Sequence, residues 1–194
     1  MKKIIISGIA LMLAVPFLII LFFIFLGSPE SEKGPVGQVV PSESQQAFID
    51  AVAPIAQETY REYGVFPSIT LSQAILESAW GKSSLAVDGG NLFGIKADSS
   101  WQGAVMELPT KEYVNGGIIT IIARWRIYTS WQDSVRDHGK FLKQNSRYTL
   151  AGVFDAKEYK EQSIALVRAG YATDPSYADL LCELIESYGL QKYD

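Results

Sequence analysis

The sequence has only one cysteine and one histidine, and this shortage excludes several kinds of site. A single cysteine cannot form a disulfide within the chain, and one cysteine with one histidine cannot build a zinc site from the usual His and Cys ligands. A peptidase that pairs Cys182 with His138 is the remaining thiol chemistry. His138 shares a helical stripe with Val135 and Phe141, and Cys182 follows Leu181 at the border of another apolar face. We therefore predict structural roles for both.

An excess of basic residues is also absent. The 194 residues contain 17 Lys and Arg against 21 Asp and Glu, a net charge of −4, and Lys2 and Lys3 are the only charges among residues 1–26. A nucleic-acid binder needs a basic face for phosphate contacts, so this class is disfavoured. The hydrophobic fraction of 48% predicts a packed core, and the length suits one domain.

Residues 4–26 contain no charged side chain. As a helix at about 1.5 Å per residue this run would span about 34 Å, enough for a bilayer core of about 30 Å. Lys2 and Lys3 precede it, which predicts a cytoplasmic N-terminus and an extracytoplasmic remainder. A cleaved signal peptide, which would make the protein secreted, is the alternative, but the run is long for one and ends without a small-x-small site. We predict a single-pass membrane anchor over residues 1–27.

The next segment, residues 28–41, combines Gly and Pro with charged and small residues, which is typical of a flexible linker. We predict that one domain follows over residues 42–194. Capping-box patterns, SESQ at residues 42–45 and TLSQ at 70–73, predict two helix starts. Pro54 should kink or split the first helix, and Gly81 should end the second.

Asn115 and Gly116 lie between β-branched and aromatic runs, a pattern that predicts a β-hairpin over residues 111–128. Three further helices are predicted: one around Val135, one capped by the Asp155-x-x-Glu158 pattern, and one starting at Asp174 with Pro175 in its first turn. The resulting fold class is α+β, mainly helical with one β-hairpin lobe.

Glu77 is the only ionisable residue on the predicted helix that ends near Gly81. Burial on an apolar helix disfavours the ionised carboxylate, and the negative end of the helix dipole acts in the same direction. A carboxyl that stays protonated near neutral pH suits a general acid for glycosidic bond cleavage. The alternative is a structural Glu paired with an arginine or capping a neighbouring element.

Glycoside hydrolysis usually needs a second carboxylate, and the hairpin offers Glu107 and Glu112. Glu112 lies beside the turn, where one wall of a cleft could form, although it could also be an ordinary exposed strand residue. Sugar rings stack on aromatic side chains and their hydroxyls bind amides. Candidate substrate-binding residues near these acids are therefore Trp80, Asn91 and Phe93. We assign Trp125 to the core.

An ordered set of motifs runs through the domain: AILESAWG (74–81), NLFGIK (91–96), TKEY (110–113), RIY (126–128), DH (137–138), FL (141–142), RY (147–148), AGYATDP (169–175) and YA (177–178). Together they resemble the bacterial endo-β-N-acetylglucosaminidases of glycoside hydrolase family 73, which include the muramidase-like domain of flagellar rod-assembly proteins. The resemblance covers residues 42–194.

This resemblance implies a lysozyme-like fold and hydrolysis of the β-1,4 bond between N-acetylglucosamine and N-acetylmuramic acid in peptidoglycan. It implies Glu77 as general acid and Glu112 as second acid, with Tyr148 and Tyr171 lining the site. Glu112 could activate water, or the substrate's own 2-acetamido group could attack the anomeric carbon. We expect a monomer that binds glycan strands, without metal or organic cofactor.

Two other functions remain open. A muramidase or lytic transglycosylase would cut the other glycosidic bond with a lone glutamate and leave a different reducing end. A cell-wall-binding or assembly module would keep the fold without turnover, and the presence of both Glu77 and Glu112 speaks against it. Arg126 follows Trp125 in the hairpin, and we predict that it holds the hairpin to the domain.

Overall fold

The computed structural model describes residues 39–114 and 117–194, with only the backbone of residues 111–114, 117 and 118. The predicted anchor (residues 1–27) and nearly all of the predicted linker (28–41) lie outside the described residues. Among the described helices, none is both long and apolar enough to cross a bilayer.

The first helix, α1 (Glu43–Tyr63), begins with the predicted capping box. The Gln45 N–H donates to Ser42 Oγ at 3.3 Å, and the Ser42 N–H donates to Gln45 Oε1 at 2.9 Å. Pro54 does not split α1, contrary to one form of the prediction. Because Pro54 is exposed, water can satisfy the carbonyl that loses its helical partner. Gly64, at φ 77°, ends the helix.

The second helix, α2 (Pro67–Ser78), is the central element, because all of its residues except Leu76 and Glu77 are buried. It contacts α1, α6 and α7. The prediction that it starts at Thr70 is wrong, since Pro67 occupies its first turn. The carboxylate of Asp194 caps the helix instead, accepting from the Ser68 N–H and the Ser68 hydroxyl at 2.8 Å each.

The remaining elements complete a mainly helical domain with one two-stranded antiparallel sheet. They are α3 (Ser84–Gly89), β1 (Val105–Val114), β2 (Gly117–Arg126), α4 (Trp131–Gln144), α5 (Ser146–Leu150), α6 (Tyr159–Arg168), α7 (Tyr177–Tyr188) and a 3-10 helix (Leu190–Tyr193). The predicted α+β class is confirmed. The predicted caps of the last two helices are wrong, because α6 has no side-chain cap and α7 starts after Ser176.

The predicted β-hairpin is confirmed, and its first arm starts six residues earlier than the sequence pattern indicated. Pairing runs from Val105 opposite Arg126 to Val114 opposite Gly117. The hairpin is buried at its base, where Trp125 is 5% exposed, and further along β1 at Thr110, which is also 5% exposed. On β2, residues 119–122 are exposed, with Ile119 at 45%.

Arg126 joins the base of the hairpin to α4, as predicted. Its guanidinium donates to Asp137 Oδ2 at 2.7 Å and to Asp98 Oδ2 at 3.3 Å, and Tyr128 donates its hydroxyl to Asp137 Oδ2 at 2.6 Å. The ring of Trp101 packs on the guanidinium at 4.8 Å. We call Arg126, Asp137 and Tyr128 the hairpin anchor.

We predict that Arg126→Ala lowers the free energy of unfolding by about 2–4 kcal/mol, because it leaves a mostly buried carboxylate without its cation. Chemical denaturation measures this loss. Arg124→Ala is the matched control, since Arg124 lies on the same strand but is exposed. Equal losses in the two variants would contradict the anchoring role.

Candidate active site

A groove opens where α2 ends and α3 begins. Its volume is ≈ 490 Å³. It is lined by Leu76, Glu77, Ala79, Trp80, Lys82, Ser83 and Ser84. Leu76 and Glu77 are the two α2 residues that are not buried, so the groove lies at the one open edge of the central helix.

Glu77 places its carboxyl in this wall, with protein around most of it. Burial raises the pKa of Glu77 to about 8, and the hydrogen bond from Tyr177, which favours the ionised form, opposes this shift. The carboxyl is therefore mostly protonated at neutral pH. The pKa prediction made from the helix pattern agrees with this direction.

Tyr177, on α7, holds one oxygen of that carboxyl. Its hydroxyl donates to Glu77 Oε1 at 2.8 Å and accepts from Gln73 Nε2 at 3.2 Å. Because Nε2 of Gln73 can only donate, the phenolic proton is directed to Glu77. Oε1 is therefore an acceptor, which leaves Oε2 as the oxygen that can carry the carboxyl proton.

Sequence reasoning did not select Gln73 or Tyr177 as site residues. Both are buried, at 0% and 1% exposed. The only available signal was the position of Tyr177 within the motif set, since no local pattern pairs a residue of α7 with a residue of α2. Gln73 was interpreted as part of a capping box, which the structure excludes.

The chain turns sharply directly after Glu77. Ala79, Trp80 and Gly81 all have left-handed backbone angles, with φ of 51°, 61° and 74°. Two of these residues carry side chains, so the turn stores strain of the kind found at functional sites. Ser78 stabilises the turn, because its Oγ accepts from the Gly81 N–H at 2.7 Å.

The turn presents Trp80 to the groove. Its ring packs edge-on against Tyr188 at 4.9 Å and against Phe48 at 5.9 Å. Gly81 is required beside it, because a Cβ there would lie 2.6 Å from the ring of Trp131. Trp80 is thus a half-buried ring that two other aromatic rings hold in place, in the same groove lining as Glu77. Its contact with substrate stays a prediction.

Asn91 and Phe93, two other predicted substrate-binding residues, are buried. The Asn91 amide donates to the carbonyls of Ile95 and Arg126 at 3.0 and 2.9 Å. Phe93 is 0% exposed and stacks on the His138 ring at 3.9 Å. These contacts give both residues structural roles. Direct substrate contact stays a prediction, which this burial disfavours.

Tyr148 and Tyr171 are also buried, at 0% and 2% exposed. Arg147 donates to the Tyr148 hydroxyl at 2.5 Å. The Tyr171 ring packs against Tyr177 at 5.5 Å, and its buried hydroxyl has no hydrogen-bond partner among the described residues. They pack in a row with Tyr177, and their role in lining the site stays a prediction.

Glu112 lies on β1 opposite Ile119, in the third pair counted from the turn. Its side chain is outside the part that the structure describes. Its role as second acid stays a prediction.

His138 and Cys182 do not form a pair. His138 is buried between Phe93 and Tyr171, and desolvation lowers the pKa of His138 to about 3. Cys182 Sγ lies 3.4 Å from Ser163 Oγ. Within residues 39–114 and 117–194, no group of three or more acidic, His or Cys side chains could hold a metal ion.

Comparison with known proteins identifies the family. Residues 53–190 match the sequence profile of the Glucosaminidase family, described as mannosyl-glycoprotein endo-beta-N-acetylglucosaminidase. This chain belongs to the Glucosaminidase family. The resemblance found in the sequence motifs is thereby confirmed.

Relatives of this glucosaminidase-family chain include exo-glucosaminidase LytG of Bacillus subtilis, 41% identical over 78% of this chain and 54% of the relative. Peptidoglycan hydrolase FlgJ of Salmonella typhimurium is 35% identical over 82% of this chain and 49% of the relative. The chain therefore spans about half the length of these curated relatives.

Solved structures of similar proteins include the catalytic domain of the autolysin Auto from Listeria monocytogenes, with a TM-score of 0.70 and 36% identity. The match covers 80% of this chain and 90% of that one. A glycoside hydrolase domain of Salmonella typhimurium FlgJ matches with a TM-score of 0.60 and 36% identity, over 73% of this chain and 95% of that one. The lysozyme-like fold of the family is therefore confirmed.

We predict that Tyr177→Phe raises the pKa of Glu77 further, because the hydrogen bond that it removes favours the ionised carboxylate. The variant also leaves the Gln73 amide unpaired and should lose about 1–2 kcal/mol of stability. Carboxyl NMR titration, with the Glu77 signal assigned by its loss in Glu77→Gln, measures the pKa.

Tyr159→Phe is the matched control for this titration, since Tyr159 donates to another glutamate, Glu186, at 3.1 Å. It should leave the titration of Glu77 unchanged. A pKa of Glu77 that stays the same or falls in Tyr177→Phe would contradict the assigned direction of the phenolic proton.

Proposed function

We propose that this chain is a peptidoglycan hydrolase that cleaves the β-1,4 bond between N-acetylglucosamine and N-acetylmuramic acid, with Glu77 as general acid. The observation that carries the proposal is a carboxyl in the groove wall that burial keeps protonated near neutral pH. Family membership supports it, and so do relatives whose names describe glucosaminidases and peptidoglycan hydrolases.

In the proposed reaction, Glu77 Oε2 gives its proton to the glycosidic oxygen as the bond from that oxygen to the anomeric carbon breaks. Tyr177 holds Oε1, which keeps the carboxyl oriented while its charge changes. The new carboxylate is stabilised by the same hydrogen bond. Trp80 offers an apolar ring face to the CH groups of a sugar.

Water then adds to the anomeric carbon and gives up one proton, so that the products are two shorter glycans. Two routes for this step stay open. Glu112 could accept the proton directly, or the substrate's 2-acetamido group could form a transient ring that water opens. In both routes Glu112 is proposed as the assisting acidic residue.

We propose further that residues 1–27 anchor the protein in the membrane and that residues 28–41 tether the domain on the cell-wall side. The uncharged run at residues 4–26 and the preceding Lys2 and Lys3 support this arrangement. It would place the groove beside its proposed substrate. We propose a monomer.

We predict that Glu77→Gln lowers turnover of purified peptidoglycan by at least about a hundredfold, because an amide cannot donate the required proton. Zymography with muropeptide mass spectrometry measures this. A reducing end of N-acetylglucosamine supports the proposed bond, and muramic acid or its anhydro form would instead show a muramidase or lytic transglycosylase. A wild-type lane without clearing would support a binding module.

The stability of Glu77→Gln separates catalysis from unfolding. The unfolded chain releases the Glu77 proton near its ordinary pKa of 4.5, whereas the folded chain keeps it until about pH 8. Glu77 therefore lowers the free energy of unfolding of the wild type as pH rises from 4.5 to 8. Because glutamine does not titrate, the Gln variant should melt at an equal or higher temperature at pH 7. A lower melting temperature would count against the catalytic assignment.

We predict that kcat/KM of the wild type falls as pH rises through about 8, because the general acid is then deprotonated. The pH profile on soluble glycan strands measures this limb. In Tyr177→Phe the limb should move to higher pH. A profile that rises across pH 8 would contradict the role of Glu77 as acid.

We predict that Glu112→Gln causes a smaller loss of kcat, about tenfold to a hundredfold, because the acetamido route can operate in part without a base. Glu107→Gln, on the same strand, is the control and should retain wild-type turnover. Wild-type turnover in Glu112→Gln would remove Glu112 from the site.

We predict that the full chain fractionates with membranes and that a variant lacking residues 4–26 does not. Carbonate extraction followed by immunoblotting measures this. Release of the full chain by carbonate, or processing to a shorter mature form, would favour a cleaved signal peptide.

A further inference from the structure

Lys82 lines the groove together with Glu77, and the proposed chemistry does not use it. Its side chain is exposed. Within residues 39–114 and 117–194, Lys82 has no carboxylate partner. In an acidic chain, with net charge −4, it is a cation left free at the mouth of the groove.

The backbone at Lys82 is fixed relative to the acid. The N–H groups of Lys82 and Ser83 both donate to the carbonyl of Ser78 at 2.9 Å, and Ser78 directly follows Glu77. The left-handed turn between them packs closely against Trp131, since a Cβ on Gly81 would lie 2.6 Å from that ring. These backbone hydrogen bonds and this packing hold the backbone of Lys82 near the acid.

Lys82 does not serve Glu77 itself. Desolvation and the Tyr177 hydroxyl determine the titration of Glu77, and the lysine does not contribute to it. An ammonium close to that carboxyl would favour its ionised form and remove the proton that the reaction needs. Lys82 thus lines the groove without bonding to the Glu77 carboxyl, whose Oε1 is held by Tyr177, and its ammonium is available to a charged group of a ligand.

From this placement we infer that Lys82 binds a carboxylate on the glycan and makes the groove selective for acidic over neutral amino-sugar polymers. The inference deepens the proposed function and rests on it. N-acetylmuramic acid differs from N-acetylglucosamine by a lactyl ether, which ends in a carboxylate when bare and in an amide-linked peptide with its own carboxylates when substituted. One of the two alternating sugars therefore carries negative charge, and the other is neutral.

Binding in the Glu77→Gln background tests this without turnover. Full-length protein in mild detergent is titrated with three ligands: glycan strands stripped of peptide, which bear lactyl carboxylates; strands with intact peptides, whose carboxylates are on the peptide; and neutral N-acetylglucosamine oligomers. Adding Lys82→Gln should raise Kd about three- to tenfold for at least one acidic ligand at low salt, and leave Kd for the neutral oligomer unchanged. The acidic ligand that responds identifies the source of the carboxylate.

Lys140→Gln is the matched control, because Lys140 is exposed on α4 and does not line the groove. It should change none of the three constants. In active protein, Lys82→Gln should raise KM for the responsive ligand and change kcat less than twofold.

Equal Kd values with and without Lys82→Gln on both acidic ligands, or an equal increase on the neutral oligomer, would overturn the inference. A different result would be that the wild type shows no turnover while Lys82→Gln still weakens binding of the acidic ligands selectively. That result would overturn the proposed hydrolysis but support the carboxylate site. The two failures are therefore distinguishable.

Discussion

The burial of α2 on nearly every side is the constraint on which the rest of the site depends. A helix that is enclosed by α1, α6 and α7 has one open edge, and Glu77 lies on it. The enclosing elements remove water from around the carboxyl, and the open edge still admits a ligand. A surface helix would leave the same glutamate ionised at neutral pH, and a fully enclosed one would leave it unreachable.

The hydrogen bond from Tyr177 opposes the effect of that burial. Desolvation favours the protonated carboxyl, whereas the phenol favours the carboxylate. An acid that donates a proton and later recovers it must be stable enough in both states, and the two opposing effects keep the pKa near the neutral range. Gln73 completes the arrangement, because its amide fixes which way the phenolic proton points. The same contacts join α2 to α7. The hydrogen bonds that orient the Glu77 carboxyl therefore also contribute to the packing of the two helices.

Local patterns predicted much of the fold, and the errors have a common cause. Ser42 and Gln45 act on neighbouring backbone groups, and Asn-Gly is a local hairpin pattern, so the first helix start and the hairpin could be predicted from the sequence. The start of α2 could not, because its cap comes from Asp194 at the far end of the chain. Glu77 stood out by its isolation on an apolar helix, but its partner Tyr177 is remote in sequence. Asn91 and Phe93 were selected for chemical type, and type alone does not tell a sugar-binding amide or ring from one that supports the loop leading to the hairpin.

The hairpin anchor attaches the two-stranded sheet to the helical body near one end of the sheet. Between Val105 and Glu112 the strand rises about 23 Å, at roughly 3.3 Å per residue. A tilt of about 10° at Arg126 and Asp137 would therefore move the backbone of Glu112 by about 4 Å. A small rearrangement of one ion pair at the base of the hairpin would thus become a large displacement at the far end of the strand.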